Sequence, residues 1–158
     1  MSVRTRILLV DDHFVVRSGL AASLGLESDF EVTAEADSVL GALEICSREQ
    51  FDVVLLDLQL PDGSGLDAIE PILNCQKEAA VLLFSTFVRV DEIDRAMTAG
   101  ASGFVAKSVD RDDLIRAIRA AVAGREVLSD DLTDQLRVLR SGPAITERER
   151  DILALVTK

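Results

Sequence analysis

The hydrophobic pattern changes period along the chain, and the changes mark its elements. Val53-Val54-Leu55-Leu56 is a continuous apolar run that meets Asp57, with Pro61 and Gly63 close behind. Such a run reads as a parallel strand covered on both faces and ending in a tight loop. Arg6–Val10 and Ala80–Phe84 read the same way and run into Asp11-Asp12 and Ser85-Thr86, while Gly103–Ala106 is a shorter strand followed by Lys107-Ser108. Glu31–Ala36 alternates polar and apolar positions, as expected of an edge strand with one wet face.

Between the strands the apolar period lengthens to that of helices. Val16, Leu20 and Leu24 predict one buried face of a first helix, with Arg17 pointing outward. Asp37-Ser38 offers an N-cap to a second helix that turns Val39, Leu43 and Cys46 inward. Asp62-Gly63-Ser64-Gly65 leads into a third with Leu66, Ile69 and Leu73 apolar. Pro71 falls inside it, where its missing N–H should cost about 3 kcal/mol or produce a kink. A short fourth helix over Asp91–Ala99 stops at Gly100. A fifth, Asp110–Ala123, places Leu114, Ile118 and Val122 on one face, with Gly124 past its end as C-cap. Further on, Ser129–Arg140 is amphipathic through Leu132, Leu136 and Leu139 and is predicted to be a linker outside the sheet domain. Ser141-Gly142-Pro143 breaks it, and Thr146-Glu147-Arg148-Glu149 is a capping box opening a last helix with Ile152, Leu153 and Val156.

Five strands alternating with five helices predict an α/β fold: a five-stranded parallel sheet with right-handed crossovers, in the flavodoxin-like order 2-1-3-4-5. The expected organisation is a sheet domain over residues 1–124, a helical linker over 125–143 and the first helix of a second domain over 144–158.

That order makes strands one and three neighbours, so Asp11, Asp12 and Asp57 share one pocket at the C-terminal mouths of the strands, where open α/β sheets bind ligands. Three uncompensated carboxylates would repel, and some would have to stay protonated. A hard divalent cation resolves the conflict, and Mg²⁺ fits a site with few protein oxygens and several retained waters. Strand four brings the Ser85 hydroxyl to the same rim and strand five the Lys107 ammonium. An acidic metal cradle, a central carboxylate, a hydroxyl and an ammonium match phosphoryl transfer to a carboxylate. Asp57 is then the nucleophile, with Lys107 and Ser85 holding phosphoryl oxygens. Each residue alone has a blander explanation: Asp11-Asp12 as helix caps, Asp57 as a loop acid, Lys107 as a solvated lysine, Ser85 as a locally bonded hydroxyl. Their joint arrival at four strand mouths favours the chemical one. His13 takes no role here, and Phe84, Phe87 and Phe104 read as core or rim packing.

Composition narrows the partners. The net charge is −11, and the first 125 residues carry 12 Lys/Arg against 21 Asp/Glu. Nucleic-acid binding leans on cationic surface, so this polypeptide is a poor DNA binder. No apolar run approaches membrane-spanning length and no signal-peptide pattern opens the chain, which points to the cytoplasm. Cys46 and Cys75 fall in helical patterns without a C-x-x-C and read as small buried thiols.

With these residues in place the chain resembles the receiver domain of two-component response regulators over residues 6–123. The likeness rests on Ile7-Leu8-Leu9-Val10-Asp11-Asp12-His13, on Val54-Leu55-Leu56-Asp57-Leu58-Gln59-Leu60-Pro61-Asp62-Gly63, on Phe84-Ser85 and on Gly103-Phe104-Val105-Ala106-Lys107. Asp12-His13, Val16-Arg17 and Gly19-Leu20 look like the NarL/FixJ (LuxR-type) subfamily. Ala144-Ile145-Thr146-Glu147-Arg148-Glu149-Arg150-Asp151-Ile152-Leu153 resembles the opening of its helix-turn-helix domain. The resemblance implies phosphorylation of Asp57 by a sensor histidine kinase and Mg²⁺ held by Asp11, Asp12 and Asp57. It implies a switch in which Ser85 moves toward the phosphoryl group and Phe104 turns inward, followed by homodimerisation and promoter binding. Such a protein catalyses only its own phosphorylation and dephosphorylation. Ser108 departs from the proline many receivers carry after the lysine, and Pro71 lies outside the pattern.

The sequence ends inside the first helix of that second domain, so the DNA-binding part is expected to be incomplete in this chain. The alternative is a naturally truncated, DNA-free receiver acting through protein–protein interaction. A hydrolase of the haloacid-dehalogenase type expects a second Asp where Gln59 stands. A nucleotide or flavin binder expects a Gly-rich loop after the first strand and rings for stacking, whereas the chain has no Trp or Tyr.

Overall fold

The computed structural model describes residues 3–141, and the predicted capping box and last helix of residues 144–158 lie outside the described residues. The elements are β1 (Thr5–Val10), α1 (Phe14–Leu24), β2 (Phe30–Ala36), α2 (Val39–Cys46), β3 (Val53–Leu56), α3 (Leu66–Cys75), β4 (Ala80–Ser85), α4 (Val90–Ala99), β5 (Gly103–Ala106), α5 (Arg111–Val122) and α6 (Asp130–Arg140). In this numbering the parallel sheet runs β2-β1-β3-β4-β5, the predicted order. Gln59–Leu60 and Gly63–Ser64 add a small antiparallel pairing inside the loop after β3.

Strand residues alternate between two cores. Ile7, Leu9, Val53, Leu55, Leu82, Phe84 and Val105 face α1 and α5, packing with Leu24, Leu114, Ile115 and Ile118. Leu8, Val10, Val54, Leu56, Val81 and Leu83 face α2, α3 and α4, packing with Ala42, Cys46, Ile69, Ile72, Ile93 and Ala96. Both faces are covered, which is why β1, β3 and β4 carry unbroken apolar runs. A strand so enclosed has no place for charge along its length, so the acids collect where the strands end.

Several local expectations change. Arg17 does not point outward: its side chain is 14% exposed and folds back toward the start of α1. The long side chain leans toward the helix N-terminus, as helical side chains do. In α5 Val122 is exposed, and Ile115 and Ala121 complete the buried face. Cys46 is buried, with desolvation pushing its thiol up to about 11, whereas Cys75 is exposed rather than buried. α3 continues through Pro71 to Cys75, so the proline neither ends the helix nor splits it in two. Gly100 closes α4 at φ 111°, a left-handed position glycine adopts without strain.

The largest difference concerns residues 125–140, which pack on the sheet domain. Val127 pairs with the outer edge of β5: Phe104 N–H donates to its carbonyl at 2.9 Å, and its own N–H donates to the Ser102 carbonyl at 2.8 Å. Gly103 permits this approach, because a Cβ there would sit 1.9 Å from the Val127 oxygen. α6 then lies on α4. Leu136 is 3% exposed within the α2–α4 core, Leu128 and Leu139 pack against that core, and Arg140 Nε donates to Asp94 at 2.8 Å. The amphipathic stripe identified a buried face but not the surface that buries it.

Leu136→Ala is expected to lower stability by about 2 kcal/mol, the low end for a buried leucine. Hydrogen exchange checks the assignment: amides in the last turns of α6 should exchange faster in the variant while those of β3 keep their protection.

Candidate functional site

The ends of β1 and β3 are in register, Val10 beside Leu56, so the next residues, Asp11 and Asp57, emerge side by side. The ladder continues one residue further, with Asp57 N–H donating to the Val10 carbonyl at 2.9 Å and Asp11 N–H to the Ala36 carbonyl at 3.0 Å. Both carboxyl groups are nearly enclosed, at 3% and 4% exposure. β4 and β5 extend beyond that level, Ser85 pairing with Ala106. Lys107 therefore starts above the acids, and its long chain reaches back to them.

Its ammonium bridges the two strand ends. Lys107 Nζ lies 2.6 Å from Asp11 Oδ2 and 3.0 Å from Asp57 Oδ2. Burying two acids side by side is costly without such a counter-charge between them. Burial alone pushes the Asp11 carboxyl up, but the Lys107 hydrogen bond, the His13 N–H and the lysine charge outweigh it and hold the group below its ordinary 3.8. Burial likewise pushes Lys107 down, and its bonds to Asp11 and Asp57 hold it above its ordinary 10.5. The remaining oxygens are also engaged: Asp11 Oδ1 accepts from His13 N–H at 2.8 Å, and Asp57 Oδ1 from Gln59 N–H at 3.3 Å.

Asp12 lies at the open side of this group. His13 Nδ1 is 3.1 Å from both Asp11 Oδ1 and Asp12 Oδ1. Neither aspartate caps α1, since its N-cap is His13 without a side-chain hydrogen bond. Ligand atoms of Asp11, Asp12, His13 and Asp57 all lie within 4.8 Å of one another. A cluster of carboxylate oxygens with one open side has the chemistry of a hard-cation site of the Mg²⁺ type, completed by water. Ser85 is buried at the same rim, and its hydroxyl donates to the Phe87 carbonyl at 3.3 Å. Phe104 is half-buried against the core that α4 and α6 share.

Three residues to which the sequence pattern gave no part in the site shape the ends of β1 and β3 and the loop after β3. Gly65 lies against the Asp57 backbone, where a Cβ would be 2.1 Å from the carbonyl oxygen. Asp62 clamps the same loop to α2, accepting from Val39 N–H at 2.8 Å and Leu40 N–H at 3.0 Å, bonds that hold its carboxyl below the usual range. Arg17 donates from Nη1 to the Asp11 carbonyl at 2.5 Å and from Nε to Glu35 at 3.1 Å. In the sequence Asp62 and Gly65 stood only as parts of the loop after a buried strand and Arg17 as a helix position facing solvent, and none of these contacts was readable from that.

Fold and site together define a receiver, and comparison with known proteins agrees. Residues 7–119 match the family described as Response regulator receiver domain, and the chain belongs to that family. It is 36% identical over 104 residues to the DNA-binding transcriptional activator DevR/DosR of Mycobacterium tuberculosis, covering 66% of this chain and 48% of that protein. It is 36% identical over 106 residues to the transcriptional regulatory protein UhpA of Escherichia coli, covering 67% and 53%. The chain thus spans about half the length of the curated relatives it matches. Among solved structures, a LuxR-family two-component response regulator from Aurantimonas sp. SI85-9A1 superposes with TM-score 0.79 at 34% identity, over 87% of this chain and 99% of that one. The NarL/LuxR character seen around His13 and Arg17 therefore extends to the relatives. Among the described residues no helix is long and apolar enough to cross a membrane.

The lysine bridge has a pH signature whose sign follows from the two shifts. A lowered carboxyl contributes stability above its unfolded value and loses it as pH falls through the folded one; a raised ammonium contributes below its unfolded value and loses it as pH rises through the folded one. The stability difference between wild type and Lys107→Met is therefore expected to be widest between about pH 5 and 9. It should shrink as the pH drops below about 4 and again above about 10.5. Urea midpoints across pH measure it, and a difference flat into acid would remove Asp11 as the partner.

Proposed function

We propose that this chain is the phosphorylation-switched receiver of a two-component response regulator, acting in the cytoplasm. A sensor histidine kinase supplies the phosphoryl group and Asp57 accepts it. The observation that carries this reading is the Lys107 ammonium shared by Asp11 and Asp57 at 2.6 and 3.0 Å beside a metal-capable carboxylate cluster.

An Asp57 carboxylate oxygen forms the new bond to phosphorus as the bond between phosphorus and the kinase imidazole nitrogen breaks, and the imidazole leaves. The backbone of Asp57 is fixed by the sheet ladder and by Gly65, so the carboxylate keeps its direction during the displacement. Lys107 is held over the same oxygen and exchanges part of its contact with Asp57 for a phosphoryl oxygen. Asp11, Asp12 and Asp57 are the residues that would hold Mg²⁺, which when bound neutralises phosphoryl oxygens and the acids around them. Attack of water on phosphorus reverses the modification, releasing inorganic phosphate and restoring the carboxylate. The chain acts on no substrate but its own phosphoryl group.

The output follows from added charge at a packed rim. Ser85 leaves the Phe87 carbonyl for a phosphoryl oxygen, and Phe104 turns further in toward the core beneath α4. The altered surface favours a homodimer, and transcriptional control follows through a complete helix-turn-helix domain, the role named for the relatives.

Incubation with Mg²⁺ and acetyl phosphate is expected to add one phosphoryl group by intact mass and to move the protein to the smaller elution volume of a dimer. Asp57→Asn should stay unmodified, and withdrawal of Mg²⁺ should abolish the gain. A modified Asp57→Asn protein would move the acceptor elsewhere, and an unmodified wild type would sink the phosphotransfer reading.

A further inference from the structure

Asp12 is the least supported acid of the cluster. Its side chain is 36% exposed, and it meets the His13 ring, itself 65% exposed. Its direction therefore depends on the backbone that carries it. The Asp11 carbonyl and the Asp12 N–H belong to one rigid peptide plane, and that carbonyl is the group Arg17 grips at 2.5 Å. Asp11 N–H is bonded to Ala36 on the other side.

Arg17 comes from the second turn of α1 and reaches back past the helix start. Its guanidinium is planar, always charged and carries donors on two sides. Here one side meets the Asp11 carbonyl and the other Glu35 at the end of β2. Glu35 is 40% exposed, and an ion pair that open contributes little to stability, so its evident effect is on the direction of the guanidinium. Groups that hold a ligand's backbone or ring in place influence metal affinity as strongly as many direct contacts do.

We propose that Arg17, oriented by Glu35, is a positioning residue for the divalent-cation site, fixing the Asp11–Asp12 peptide so that the Asp12 carboxylate stays turned toward Asp11 and Asp57. The inference rests on the reading of Asp11, Asp12 and Asp57 as the Mg²⁺ cradle. Arg17 touches neither the ion nor the phosphoryl group, and its effect passes through Asp12.

The test is direct Mg²⁺ binding, followed by backbone amide shifts of Asp12, His13 and Asp57 in wild type, Arg17→Met, Arg17→Lys and Glu35→Gln, with the melting temperature of each metal-free protein recorded beside it. Arg17→Met is expected to weaken Mg²⁺ binding roughly 10-fold and to recover phosphorylation by acetyl phosphate when Mg²⁺ is raised. Arg17→Lys, which keeps the charge but cannot make both bonds, should fall between, and Glu35→Gln should weaken binding less than Arg17→Met. A purely structural arginine would lower the melting temperature and leave the affinity of the folded protein unchanged, and that result overturns the proposal. If Arg17→Met does not fold, unchanged affinity in Arg17→Lys and Glu35→Gln overturns it equally. A wild type that binds no Mg²⁺ would overturn the cradle itself, a failure distinct from variants that bind as well as wild type.

Discussion

The arrangement depends on one ammonium. Asp11 and Asp57 sit side by side because β1 and β3 pair in register, and both are almost closed to water. Two buried carboxyl groups side by side call for a compensating charge, and Lys107 places its ammonium against both, reaching across from β5. That requirement reaches far down the chain. β5 has to run parallel to β4 and end level with Ser85, so that Lys107 follows one residue beyond, and α5 has to begin after it, with Asp110 capping the helix through Asp113 N–H. A change of strand order would leave the acids without their cation.

The same economy explains what the sequence made legible. A parallel strand enclosed on both faces is written in unbroken apolar residues, so β1, β3 and β4 are visible as runs, and whatever polar residue follows such a run stands at a mouth. Asp11, Asp57, Ser85 and Lys107 were readable for that reason, and strand order then assembled them. Gly100 and Ser129 mark their helix ends because their roles are local, one a left-handed turn and one a hydroxyl accepting from Leu132 N–H.

What was not legible is long-range and polar. Arg17 occupies a helix position that periodicity assigns to solvent, and only the nearness of Glu35 and the Asp11 carbonyl turns it back. Asp62 caps a helix that begins 23 residues earlier, a pairing no local pattern encodes. Cys75 and Val122 lie on apolar stripes that run past the end of the surface covering them. α6 shows the converse: its stripe promised a buried face, but its partner, α4, is more than 30 residues away in sequence, and periodicity carries no address.

The pairing of Val127 with β5 also alters how the sheet meets its surroundings. An open parallel sheet presents two rows of unpaired backbone groups, each a template onto which another chain can add a strand. On the β2 side that row is flanked by Glu31 and Glu35, whose charges discourage pairing. On the β5 side Val127 already occupies the Ser102 carbonyl and the Phe104 N–H. Strand addition thus meets charge at one margin and a stretch of the chain itself at part of the other. The helical faces carry no such row of unpaired backbone groups, so a contact made there would lack the backbone zippering that leads to irreversible assembly.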